Sequence, residues 1–108
     1  MTTFRHYKIK VHKLVITKDS KRFDDATKEK IKRKCKELLS FEPEKVGAPL
    51  RFELKDYRKL VIFSSYRIVY KILKEEVLVF ILAVGIRRDS EVYLEAIKRL
   101  KHPEPTIP

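Results

Sequence analysis

Arginine and tyrosine recur together where apolar runs begin or end. Tyr57-Arg58-Lys59 opens one such run and Tyr66-Arg67 opens the next. Arg87-Arg88 follows the longest apolar run, and Tyr93 lies six residues after Arg87. Guanidinium groups are fixed cationic forks that fit phosphate oxygens. Tyrosines stack on nucleobases or exchange protons. The pairing therefore points to nucleic-acid chemistry. Tyr66 and Tyr70 are expected to face a core. Arg67 shares a strand face with Val69 and is expected close to the sheet surface, where it can hold an anion.

Other chemistries lack their residues. The only glycines are Gly47 and Gly85, so there is no glycine-rich phosphate loop. His6, His12 and His102 have no metal-ligand spacing. No Ser-His-Asp arrangement is evident, and Glu42, Glu44 and Glu53 read as surface groups. The one cysteine, Cys35, excludes an internal disulfide and sits in an apolar stripe, as a small buried hydrophobe does. Neither a metal nor another cofactor is expected.

Charge supports an anionic partner. The 108 residues carry 26 Lys+Arg against 15 Asp+Glu, a net of +11. Residues 1–36 hold 13 basic and 4 acidic side chains, a net of +9, and the remainder nets only +2. The excess centres on Lys28, Lys30, Lys32, Arg33, Lys34 and Lys36. The eight-residue apolar run 77–84 is far short of the ~20 residues a membrane helix needs. No apolar leader follows Met1, so the expectation is a cytoplasmic protein with no membrane contact. Asn and Gln are absent, which suggests a heat-adapted source.

The elements that position these residues follow from periodicity. Residues 7–16 alternate and predict a strand. A short helix from Asp19 or Ser20 through Phe23 comes next. Asp24 or Asp25 caps a longer helix with Thr27, Ile31, Cys35 and Leu38 on one face. Residues 41–49 read as a linker. Residues 51–63 and 66–72 alternate in part, and Lys74-Glu75-Glu76 makes a turn. Residues 77–84 predict a central strand covered on both faces and ended by Gly85. Asp89 or Ser90 caps a last helix, with Tyr93, Ala96, Ile97 and Leu100 on one face. The expected fold is a single α+β domain over 1–108, its core about 7–101. The order is β-α-α-β-β-β-α, with an antiparallel meander, helices on one side of the sheet, and a mobile proline-rich tail at 102–108.

Taken in order, Arg58, the segment Ser65-Tyr66-Arg67-Ile68-Val69-Tyr70, Val79-Phe80, and the segment 83–93 with its Gly85, Arg87 and Ser90-Glu91-Val92-Tyr93 resemble the RelE branch of the RelE/ParE toxin superfamily. The resemblance spans roughly residues 8–100. It implies the toxin of a type II toxin–antitoxin system, a metal-free endoribonuclease that cuts mRNA in the ribosomal A site. The RNA's own 2′-hydroxyl would attack the adjacent phosphate. By resemblance, Arg67 and Arg87 stabilise charge at that phosphate, and Tyr93 stacks on or deprotonates the substrate nucleotide. Arg58 falls at the first of two family lysines. Leu60 stands at the second and Asp89 replaces a later family arginine, so the general base is open between Tyr93 and mainly electrostatic catalysis by Arg58, Arg67 and Arg87. Lys28, Lys32, Arg33, Lys36, Lys59 and Arg88 would contact ribosomal RNA or mRNA phosphates. The implied partners are the ribosome with its mRNA and a RelB-like acidic antitoxin encoded nearby. Two alternatives share the fold: a ParE-like toxin that inhibits DNA gyrase by binding, and a catalytically weakened RNA-binding homologue.

Overall fold

The computed structural model describes residues 6–86 and 90–101 and the backbone of 106–107. A sheet in the order β2-β3-β4-β5-β1-β6 runs through the protein. Its centre is the expected meander of β3 (Arg58–Ile62), β4 (Tyr66–Leu73) and β5 (Leu78–Ile86), paired antiparallel. β1 (Lys8–His12) lies parallel to β5, beside its first half. β2 (Ala48–Pro49) extends the far edge beside β3. Apolar β5 sits between two strands with both faces covered, as its uninterrupted run required.

Helix α2 (Asp25–Leu39) starts where a cap was expected: the Asp24 side chain accepts a 2.8 Å hydrogen bond from the Thr27 amide. Its Ile31, Cys35 and Leu39 pack on Leu60, Ile62, Ile68, Tyr70, Val79 and Ile81. Period-two alternation turns Val69 and Leu82 to the opposite face. There they meet Leu54 and Tyr57, with Val92 and Ala96 of α4 (Glu91–Lys101). The α+β class and the meander match the sequence reading, but the helices do not share one side. The apolar second face of β4 and β5 needs its own cover, and α4 supplies it.

Several local expectations are also corrected. β1 ends at His12 rather than running to 16, because the His12 Nδ1 accepts from the Leu14 amide at 3.1 Å and caps α1 (Lys13–Thr17). A short helix α3 (Pro43–Val46) lies within the expected linker. Phe52–Leu54 forms a 3-10 turn rather than strand. β5 passes through Gly85 to Ile86; a Cβ at Gly85 would stand 2.7 Å from the Val92 Cβ, so glycine lets α4 press against the strand. Within the proline-rich tail, Thr106–Ile107 forms β6 and pairs with Val11 and His12, so that part is tied to the sheet.

β1 turns away after Val11, which is level with Ile81, leaving later β5 groups to be satisfied by other partners. Asp19, in the 3-10 turn Asp19–Arg22, accepts from the Val84 amide at 2.9 Å. The Arg99 guanidinium grips the same carboxylate at 2.7 and 2.8 Å and donates to the Leu82 carbonyl at 2.9 Å. Both side chains are buried.

Candidate active site

Arg67 lies in β4 directly across from Gly85 in the pairing register. Alternation aims it at the α4 face, with Val69. Tyr93, in the first turn of α4, packs against the cluster that holds Val69. The Arg67 guanidinium carbon stands 5.2 Å from the Tyr93 ring centroid, within cation–π range. The Arg67 Nε is buried and has no hydrogen-bond partner. A buried N–H donor without an acceptor is costly, and a phosphate oxygen would satisfy it.

The position of Tyr93 depends on how α4 is seated. Val92 fits over Gly85, and Ala96 is fully buried. Three ion pairs fasten the helix to the segment 18–22: the buried Arg99–Asp19 pair, Lys18–Glu95 at 3.0 Å and Arg22–Glu91 at 3.2 Å. The hydrogen bond from Lys18, with the lysine's charge, holds the Glu95 carboxyl below the usual carboxylate range.

Arg58 does not join this pair. It pairs with Tyr70 across β3 and β4 and shares the α2 face with Leu60. Its Nη2 donates to the Glu44 carbonyl at 2.8 Å and the Gly47 carbonyl at 2.7 Å. Beside it the Tyr70 hydroxyl donates to the Pro43 carbonyl at 2.6 Å. Burial pushes the Tyr70 phenol up, while the hydrogen bond and charge of Arg58 pull the other way. Arg58 thus ties α3 and its loop to the sheet. The expected convergence of positions 58 and 67 fails because nine residues and one hairpin leave them on opposite faces. Tyr66 and Tyr70 face the α2 side, Tyr66 edge-on to Phe23 with ring centroids 5.4 Å apart.

Lys59 is the β3 cation on the Arg67 face, level with Val69. Lys71 shares that face, its ammonium 5.7 Å from the Tyr57 ring centroid. The sequence reading did not single out Lys71, although stepping by two from Arg67 along β4 reaches it. On α2, Lys32, Arg33 and Lys36 are exposed and Lys28 is half-buried. Arg87, Arg88 and the alternative cap Asp89 lie outside the described residues. Cys35 is buried, and burial pushes its thiol up to about 12, which suits a packing role. Among the described residues no group of three His, Cys, Asp or Glu is placed to hold a metal ion.

The family of ParE toxins of type II toxin–antitoxin systems (parDE) matches residues 5–91. The mRNA interferase toxin RelE of Escherichia coli (strain K12) is 37% identical over 84 residues, 77% of this chain and 86% of that protein. This chain is a RelE-type toxin of the RelE/ParE superfamily. Solved toxins of this type share its fold. A RelE-type toxin in the RelBE2 toxin–antitoxin complex from Mycobacterium tuberculosis superposes with a TM-score of 0.70 at 27% identity, over 82% of this chain and 100% of that one. A free double-arginine variant of Escherichia coli RelE gives 0.66 at 31% identity, over 88% of this chain and 98% of that one. The same variant bound to a peptide of its antitoxin RelB gives 0.60 at 32% identity, covering 87% and 97%. The mixed α+β fold, a sheet with helices, is that of a RelE-type toxin.

Proposed function

We propose that this RelE-type toxin cuts ribosome-bound mRNA by a metal-free reaction at the Arg67–Tyr93 face. The observation that carries the reading is the Arg67 guanidinium beside the Tyr93 ring, with a buried N–H still unpaired. In the reaction the 2′-oxygen of one nucleotide attacks the adjacent phosphorus as the bond to the 5′-oxygen breaks. The products are a 2′,3′-cyclic phosphate and a 5′-hydroxyl. One proton leaves the 2′-hydroxyl and one reaches the departing oxygen.

Arg67 binds the non-bridging oxygens and offsets the charge that grows on them. Arg87, by the same resemblance, supplies a second cation and supports protonation of the leaving oxygen. Tyr93 stacks on the splayed nucleotide and takes the 2′-proton. Arg58 keeps its expected charge only as a distant contribution, since it lies on the opposite sheet face with its Nη2 held by loop carbonyls. Lys28, Lys32, Arg33, Lys36, Lys59 and Arg88 engage RNA phosphates, so ribosome binding weakens steeply with salt. An acidic antitoxin neutralises the toxin.

A translating extract dosed with the protein tests this. Primer extension should map new 5′ ends in the mRNA, and mass spectrometry of the upstream fragment should find a 2′,3′-cyclic phosphate. Tyr93→Phe should slow cleavage by ~10²–10⁴-fold if the hydroxyl takes the proton. Full activity in Tyr93→Phe with loss in Tyr93→Ala would leave Tyr93 the stacking role alone. The ParE family match favours one second reading, inhibition of DNA gyrase by binding. Blocked supercoiling with intact mRNA would select it.

A further inference from the structure

Two further cations lie along the sheet face that carries Arg67. Lys71 follows Arg67 by four residues on β4, and Lys59 on β3 stands opposite Val69, midway between them. Val69 pairs with Ala83 and Tyr70 with Ile81, so the residue passed over at this bulge is Leu82, on β5. Alternation along β4 is therefore unbroken, and Arg67, Val69 and Lys71 point the same way. Two strand residues rise about 6.8 Å, so Arg67, Lys59 and Lys71 mark three levels one such step apart.

The row carries no neutralising charge. Among the described residues none of the three cations has an ion pair. All three are half-buried. The two end cations each rest on a tyrosine ring: Arg67 is 5.2 Å from the Tyr93 centroid and Lys71 is 5.7 Å from that of Tyr57. Both tyrosines pack into the α4-side cluster, so the rings restrict where the two cations can sit. Cations in a line, partly withdrawn from water and left unpaired, focus potential on an anion that repeats along the same line. A single-stranded RNA backbone is such an anion, with phosphates at a similar step, and a charged groove follows it without reading its bases.

We propose that Lys59 and Lys71 hold the two phosphates next to the scissile one, on one side of the cut, so that the toxin grips three successive phosphates of the mRNA. The proposal deepens the function above and rests on it for placing the cut at Arg67. It gives Lys59 a definite phosphate, and it adds Lys71 to the binding residues. The grip sets which phosphate reaches Arg67 and Tyr93, because a strand held at the two neighbouring levels cannot slide by part of a step.

A short 2′-O-methyl oligoribonucleotide, which lacks the attacking hydroxyl and stays intact, tests the grip. It is titrated into the full-length toxin by fluorescence anisotropy across a salt series, with amide shifts followed by NMR. Amides of β3, β4 and the first turn of α4 should shift. Lys59→Met and Lys71→Met should each weaken binding several-fold at low salt and reduce the slope of log K against log salt by ~0.7. Lys71→Arg keeps the charge and should keep the slope, and Lys10→Met, on β1, should leave it unchanged. Should a methionine variant fail to fold, glutamine at the same position carries the same expectation. On programmed ribosomes, wild-type toxin should cut more slowly an mRNA with one uncharged methylphosphonate at the second linkage from the cut, on one side only. Lys71→Met should cut that mRNA and the unmodified one at equal rates. A Lys71→Met defect that persists undiminished with the neutral linkage on either side would place Lys71 on ribosomal RNA and overturn the proposal. So would an unchanged slope in both methionine variants, an equal drop in Lys10→Met, or shifts confined to α2. Failure of the wild-type protein to cut mRNA, with the oligonucleotide still held by both lysines, would refute the proposed function and leave the grip standing.

Discussion

The α2 face and the α4 face share the same long strands, yet they are closed differently. On the α2 face a fifteen-residue helix lays Ile31, Cys35 and Leu39 onto aliphatic and tyrosine side chains. On the α4 face a shorter helix buries Val92 and Ala96, packs Tyr93, Ile97 and Leu100 beside them, and is further fastened by charge, through Arg99, Glu95 and Glu91. Apolar area supports both helices, and ion pairs add to the seating of the second. On the proposed function the difference serves use: a face that presents Arg67 and Tyr93 to an anion is not sealed by hydrophobic packing, because a full seal would bury the cation away from its ligand.

The comparison breaks most visibly at Arg99. Arg99→Met should cost about 3–5 kcal/mol, because the Asp19 carboxylate is then left buried without its cation. Urea unfolding checks this, and a cost near zero would mean that packing alone seats α4. Arg67→Ala comes next. It should reduce mRNA cleavage by ~10²–10³-fold while leaving the unfolding midpoint almost unchanged. Equal loss of stability would make Arg67 a structural residue.

On the other face, Tyr70→Phe removes the hydroxyl that bonds the Pro43 carbonyl. It should cost about 1–2 kcal/mol with no change in cleavage rate once folded, measured at a temperature where both proteins are native. Smaller still is the acid response. Glu95 and Asp24 have folded-state pKa values below their unfolded ones. Their stabilising contributions are complete above the unfolded carboxylate pKa and fade as pH falls through the folded value. Glu95→Gln should therefore flatten the low-pH limb of the stability curve on the α4 side. The α2 core should leave its mark only in chemistry: Cys35, with its thiol pushed up to about 12, should resist alkylation at pH 8 until the protein unfolds.

The local rules were legible in the chain. Asp24 ahead of an amphipathic stripe marks the start of α2, and the apolar run 77–84 marks a strand covered on both faces. Tyr66 and Tyr70 alternate with Arg67, which places the arginine opposite the tyrosines. That same period of two, carried through the hairpin, already separates position 58 from position 67. Resemblance grouped them because it compares order along the chain and carries no side-chain direction. The His12 cap that truncates β1 was hidden, since a histidine between strand-forming residues reads as part of the alternation until its ring meets the Leu14 amide.

The sequence by itself determined the two long helices, the meander strands and the basic character of α2, because these rest on neighbours within a few residues. Tertiary structure alone decided that α4 takes the second face and that Arg99 finds Asp19 eighty residues away. Those outcomes depend on which surfaces remain unburied after the strands have paired, and that balance is struck only when the whole chain packs.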